Sequence, residues 1–416
     1  MALVLPFKAV RPQVKYAPQV AALPYDVMTR EEGRMAVAGR PLSFMHVEKS
    51  EIDVPDGTRP DNPVIYETAK RNFARMREEG ILIQDPSPCY YIYRQKMGSH
   101  VQTGIVGVMS AAEYDEGKIK KHELTRQDKE DDRIRHVDKV NAQPGPVFIS
   151  YRTRSGLNGI VEKITAGRPE YDFTAEDGVV HTAWVVADQA QMDAIRSEFD
   201  QVDALYIADG HHRTAAAALV GNEKKEQNPH HNGQEEYNYF LAVCFPDNQL
   251  QIIDYNRVVK DLNGHDKQSF LAALEEDFIV ESKGSQIYKP SRLHNFGLYI
   301  DREWYSLTAK PGRYDDKDPL GVLDVNISSR LILDRILGIK DLRSDKRIDF
   351  VGGIRGLKEL ERRVDSGEMA LALALYPVSM KQLIDIADSG NIMPDSYTHL
   401  RAHETPEHLV CRLALE

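Results

Sequence analysis

The residues best suited to chemistry are Asp209, Gly210, His211, His212 and Arg213, which stand between a short apolar run at 204–208 and an alanine-rich stretch that begins at Thr214. The run reads as a strand and the stretch as a helix, because alanine is the strongest helix former. A helix N-terminus carries unpaired N–H groups and the positive end of the dipole, so a cation there costs about 0.3–1 kcal/mol. This sequence nevertheless puts Arg213 and two histidines at that end. A docked phosphate resolves the conflict by taking the amides, Arg213 and the first helical residues through Thr214 together. Gly210 lets the backbone approach such an anion closely. Asp209, at the carboxyl end of the strand, would hold a histidine tautomer or a metal-bound phosphate. The plainer reading makes Asp209 a simple helix cap and turns His211 and His212 to solvent. Adjacent histidines do not share a helix face, which argues against a zinc site.

A second group runs from Lys120, Lys121, His122, Glu123 and Thr125 to Asp131, Asp132 and Arg133. In a functional reading Lys121, His122 and Arg133 neutralise phosphate, while Glu123 or Asp132 takes a metal or a proton. In the plainer reading this is a solvated charged segment, loop or exposed helix, as such runs usually are. A third group is the turn Pro24-Tyr25-Asp26, which would present Asp26 toward a cleft or serve only as a turn. Residues 43–46 alternate like a strand, with His46 at its end.

The elements that must position these residues are legible in outline. Thr29 and Glu32 have the spacing of a capping box, so a helix is expected to follow. Asn62-Pro63 starts another, whose apolar face is Ile65, Ala69, Phe73 and Met76, ending near Gly80. Residues 90–94 and 101–110 predict a hairpin, and 147–151 and 182–187 predict further strands. Asp188 caps a helix through Phe199. Residues 221–236, rich in Gly, Asn and charge, predict a mobile loop. Residues 237–245 and 250–259 predict a hairpin. A second unit then opens with a helix near 269–276 and contains strands at 297–301 and 370–376 and helices at 328–337, 357–364 and 380–389. The expected division is 1–260, 261–395 and a tail at 396–416.

Composition bounds the class. With 416 residues, 42% apolar and 28% charged, the chain has ordinary globular composition and ample material for a core. Three cysteines in this length predict reduced thiols in a cytoplasm rather than a disulfide framework. No apolar run approaches the roughly 18 residues of a membrane span. No charged segment precedes the first apolar stretch, so no secretory leader is expected. A formal charge of -11 makes a nucleic-acid backbone a poor partner and leaves a small molecule as the expected one. Oligomeric state is left open.

Residues 396–416 differ in kind from the rest, holding three of the 14 histidines and one of the three cysteines. The segment SYTHLRAHET resembles a translated sequencing adapter, and LVCRL a primer that follows one. The tail is therefore expected to be foreign to the natural chain and disordered.

Taken together, LPYDVMT, PLSFMHVEKSE, KHELT with DDR, GPVFISY, IADGHHRTAAA, KRIDFVGGIRGLKELERRVDSGE, ALALYPVSM and IADSGNIMP resemble, in order, the bacterial family of unknown function DUF1015. The resemblance implies an α/β (α+β) protein, a ParB/sulfiredoxin-like mixed-sheet domain followed by a C-terminal α/β unit. The DGHHR turn is similar to that of SerK-type free serine kinases. This implies phosphoryl transfer from ATP or ADP, with Mg²⁺, to the hydroxyl of free serine. It assigns Asp209, His211, His212 and Arg213 to phosphate handling. Asp26, by a looser match, or Glu123 would be the base, and Asp209 and Asp132 would be the metal carboxylates. The alternative is a non-catalytic nucleotide-binding regulator of ParB-like type. Sulfiredoxin-type redox chemistry needs a cysteine where this turn has histidine. Relatives end in a Met-Pro-Pro-Lys-Ser-Thr-like motif, whereas Met393-Pro394 is followed here by Asp395.

Overall fold

The computed structural model describes residues 3–23, 28–125, 127–342, 344–393 and 411–413. It has mixed α and β content in two compact units. The first comprises Met1–Lys121, Thr125–Leu250 and Glu404–Glu416, and the second His122–Leu124 and Gln251–His403. The division falls a little before the expected one. The strand Tyr239–Pro246 belongs to the sheet of the first unit and Tyr255–Val259 to that of the second, so the expected hairpin between them does not form.

The first unit is built on a nine-stranded mixed sheet. Its order from one edge is Ile119–Lys120, Leu205–Asp209, Val147–Tyr151, Tyr239–Pro246, His100–Ser110, Tyr90–Met97, Val180–Val186 and Tyr171–Thr174, with Val4–Leu5 also paired to His100–Ser110. Tyr239–Pro246 runs parallel to Val147–Tyr151, and Leu205–Asp209 runs parallel to Ile119–Lys120; the other pairings are antiparallel. The central strands are buried on both faces and accordingly read as continuous apolar runs. The predicted hairpin at 90–110 forms and closes at Met97↔His100. A smaller sheet joins Leu82–Gln84, Ala9–Pro12, Cys411–Leu413 and Ala142–Gln143. Cys411–Leu413 is thus the one stretch of the tail among the described residues, and it lies in a ladder.

Helices cover this framework where the caps predicted them. Thr29 and Glu32 form a capping box at the start of Arg30–Ala36. The Asn62 side chain accepts from Val64 N to start Pro63–Glu78, and Asp188 accepts from Gln191 N to start Gln189–Phe199. Two elements depart from expectation. Residues 45–48 are helical, not a strand, with Met45, Val47 and Glu48 buried. The helix that starts at His211 runs on to Gln227 through the expected loop, because Gly221 lets the Tyr237 carbonyl approach to 2.4 Å from where a Cβ would stand.

The second unit carries a six-stranded antiparallel sheet ordered Phe278–Gly284, Glu303–Ala309, Asn295–Ile300, Leu371–Ala374, Tyr255–Val259 and Ile348–Gly352. Trp304, Val258, Ala372 and Leu360 form its core, the last from the helix Leu357–Asp365. Trp304 Nε1 donates to Glu361 of that helix at 2.9 Å, so the buried indole is satisfied.

The tightest approach in the main sheet is at Gly104, where a Cβ would come within 2.7 Å of Val243 Cγ2 and 2.8 Å of the Phe245 ring. Gly104→Ala should therefore destabilise the first unit by about 1–3 kcal/mol, as overpacking does. Urea denaturation followed by tryptophan fluorescence measures this, and an unchanged midpoint would contradict the packing described.

Candidate active site

The strand Leu205–Asp209 ends in an irregularity. Its register against Val147–Tyr151 shifts between Ile207 and Asp209, and such bulges re-aim the side chain that follows. Gly210 then takes φ +94, a left-handed conformation that glycine adopts without penalty, and becomes the N-cap of the helix His211–Gln227. Asp209 is therefore not the cap. Its carboxylate instead accepts from Arg213 Nη2 at 2.9 Å, and Arg213 Nη1 donates to Pro146 O at 2.5 Å. The Arg213 side chain is only 11% exposed and folds inward. His211 is buried and His212 half-buried, which removes the reading in which both face solvent. Thr214 is buried, and its hydroxyl donates to Gly210 O, so it braces the turn from within.

The charged run beyond Arg126 is a helix, Gln127–Val140, with Asp128 and Glu130 in its first turn where the dipole favours them. Its buried face is Arg133, His136, Val137 and Val140, spaced i, i+3, i+4, i+7. Asn141 closes it in the left-handed conformation. Arg133 is held from two sides. Its Nη1 donates to Glu48 at 3.2 Å, and its Nε and Nη2 donate to Asp132 at 3.0 and 2.7 Å. Tyr66 donates to the other Asp132 oxygen at 2.9 Å. Burial would push the Asp132 carboxyl up, but the Arg133 guanidinium and the Tyr66 hydroxyl outweigh it and hold it below the usual carboxylate range.

Two cavities meet here. One of about 380 Å³ is lined by residues that include Glu48, Lys49, Ser50, Tyr66, Asp132 and Arg133. The other, of about 20 Å³, is lined by Arg133, Arg213, Gln143 and Gly145 among others. Glu48, Arg133 and His136 line both. The structure thus brings Arg133 and Arg213 to one cavity, with Asp132 on the larger one beside it. Lys121 is exposed, its ammonium 5.4 Å from the Tyr114 ring. His122 and Glu123 are buried and group with the second unit, where His122 O accepts from Met393 N. Asp26 lies outside the described residues. Among the described residues no three His, Cys, Asp or Glu side chains stand close enough together to hold a metal ion by themselves.

Sequence reasoning missed Glu48 and His136. His136 is 2% exposed, and its Nε2 donates to Val47 O at 2.9 Å, which fixes the neutral tautomer. Burial, reinforced by the charge of Arg133, pushes its pKa down to about 3. Its place three residues after Arg133 was the available signal. Glu48 had none, since its partner lies far away in sequence.

The model of the protein family of unknown function DUF1015 matches residues 4–326, and the chain belongs to that family. No curated protein matches it. Among solved structures, a free serine kinase variant in complex with AMP is similar at 11% identity and a TM-score of 0.34, over 74% of this chain and 88% of that one. SbnI with a C-terminal truncation, from Staphylococcus aureus, is similar at 8% identity and a TM-score of 0.33, over 75% and 83%. A conserved hypothetical protein from Pyrococcus furiosus is similar at 14% identity and a TM-score of 0.31, over 69% and 87%.

The neutral burial of His136 has a measurable consequence. In the unfolded chain a histidine takes a proton near pH 6.5, whereas folded His136 stays neutral down to about 3. The unfolded state therefore binds more protons between these values, so the stabilisation is complete above about pH 6.5 and is lost as the pH falls toward 3. His181, pushed down to about 4 by burial, acts in the same sense. Each costs about 1.4 kcal/mol per pH unit below 6.5. The melting temperature should fall between pH 7 and pH 5, and His136→Gln should flatten that fall. An equally steep decline in the variant would contradict the assignment.

Proposed function

We propose that the protein transfers a phosphoryl group from ATP or ADP to the hydroxyl of a small metabolite, free serine, giving O-phosphoserine. The observation that carries this reading is the pair of guanidiniums, Arg213 and Arg133, fixed by carboxylates on one cavity at the start of the helix His211–Gln227. Phosphoryl transfer asks a protein mainly for positioning and charge neutralisation, and fixed guanidiniums supply both with little reorganisation. The similarity of the DGHHR turn to that of free serine kinases names the acceptor.

In the proposed reaction the serine oxygen attacks the terminal phosphorus. The new O–P bond forms as the bond to the leaving ADP or AMP breaks, and the hydroxyl proton passes to a carboxylate, for which Asp26 is the candidate; Glu123, buried in the second unit and on neither cavity, is not. Arg213 and Arg133 offset charge on the transferred group. The larger cavity has five acidic side chains, Glu48, Glu51, Asp61, Asp128 and Asp132, against four basic ones, Lys49, Lys129, Arg133 and Arg135. Nucleotide phosphates entering it need a further cation, which fits Mg²⁺. This ion takes one or two carboxylates and completes its shell with phosphate oxygens and water. Asp132, on the wall of that cavity, would hold it; Asp209, paired with Arg213, lines neither cavity. When bound, the metal neutralises phosphate charge. Among the described residues no helix is long and apolar enough to cross a membrane. The free, buried Cys89 and Cys244 fit a cytoplasmic setting.

Purified protein given serine, Mg²⁺ and either ATP or ADP should yield phosphoserine, detected by phosphorus NMR. Arg213→Ala should lower the rate by about 10²–10³, the usual effect of removing one preorganised donor. No phosphoserine with either nucleotide would overturn the reading.

A further inference from the structure

The wall between the two cavities contains an acceptor with nothing to accept from. With Nε2 donating to Val47 O, the other ring nitrogen of His136, Nδ1, carries a lone pair. That nitrogen is buried and has no hydrogen-bond partner among the described residues. Leaving such a group unpaired costs about 1–3 kcal/mol, so it calls for a physical explanation. The cavity beside it has about 20 Å³, and a water-sized group needs roughly 10–15 Å³, so one hydroxyl fits inside it and the phosphoryl group would stay at its opening. Of the remaining polar wall, the Glu48 carboxylate is already engaged by Arg133 Nη1 at 3.2 Å. Gln143 already donates to Tyr239 O and accepts from Leu241 N, and the guanidiniums of Arg133 and Arg213 have no acceptor atom.

We propose that this small cavity receives the hydroxyl of the acceptor alcohol, and that Nδ1 of His136 accepts its hydrogen bond. The contact directs the oxygen lone pair toward a phosphoryl group lying between Arg213 and Arg133. His136 would then be a catalytic residue that orients the nucleophile without keeping its proton. Its burial disfavours the imidazolium, so the proton leaves to a carboxylate as described above. The proposal rests on the phosphotransferase reading for the identity of the alcohol, but the contact itself is testable separately.

Histidine labelled with ¹⁵N reports the state of Nδ1 directly. Adding serine to the protein with ADP should move the Nδ1 resonance of His136 toward that of a hydrogen-bonded nitrogen, and ADP alone should leave it in place. His136→Gln keeps a donor for Val47 O but has no acceptor where Nδ1 stood; it should lose at least about tenfold in kcat/KM, the effect of one lost hydrogen bond. His136→Asn places its amide oxygen near the Nδ1 position and should recover part of that loss, which a purely structural role would not produce. If serine moves the resonance but no phosphoserine forms, the contact stands and the phosphotransferase reading falls. The proposal itself is overturned by a resonance that serine does not move, as a resident water would give. It is overturned equally by a shift with ADP alone, which would assign the contact to the ribose, or by a Gln variant as active as the parent.

Discussion

The arrangement depends on how two arginines are held. Arg213 starts a helix whose dipole repels it, and Asp209, one turn earlier, offsets that repulsion while Pro146 O takes the other arm of the guanidinium. Arg133 is gripped in the same way by Glu48 and Asp132. Buried ion pairs of this kind add little net stability, because desolvation cancels most of the attraction. What they do here is fix direction. A guanidinium already ordered by its carboxylate loses little entropy when an anion arrives, so its attraction is available to the incoming charge. The acidic lining that results from this arrangement is also why the proposed site needs a metal ion as well as arginine.

The backbone builds this geometry from two helices packed against each other, Gln127–Val140 and His211–Gln227. One carries Arg133 and His136, the other Arg213. The bulge at the end of Leu205–Asp209 and the left-handed Gly210 turn the second helix so that its first turn faces the first helix. A Cβ at residue 210 would meet the Val147 Cα at 3.4 Å as well as require a strained φ. The Val147 contact is of ordinary length, so it is the left-handed φ that requires the glycine. The same close packing seals His136 from water and keeps it neutral.

Much of this was legible where the information is local. The Thr29–Glu32 capping box, the Asn-Pro helix start, the 90–110 hairpin and the strand–turn–helix around Asp209 each follow from residues a few positions apart, and each is present. The failures at 221–236 and 250–259 are cases where distant partners decide. Gly221 and Asn222 look like helix breakers, yet the helix continues because Gly221 is the point where the Tyr237 backbone approaches. The run at 250–259 looks like the return strand of a hairpin, but its pairing partners are at 348–352 and 371–374. In the site itself, the sequence pointed to an unbalanced charge at Arg213, and the structure shows that charge balanced by Asp209. Glu48 was invisible, and His136 was marked only by its spacing from Arg133, because their roles arise from contacts 85 and 89 residues away in sequence.

The central claim is that Arg213 and Arg133 jointly receive phosphate. A crystal structure with a non-hydrolysable ATP analogue and Mg²⁺ tests it most directly. The account predicts the terminal phosphate within hydrogen-bond reach of both guanidiniums and of the amides that open the helix at His211. Phosphates bound elsewhere, with Arg213 still held only by Asp209 and Pro146, would contradict it.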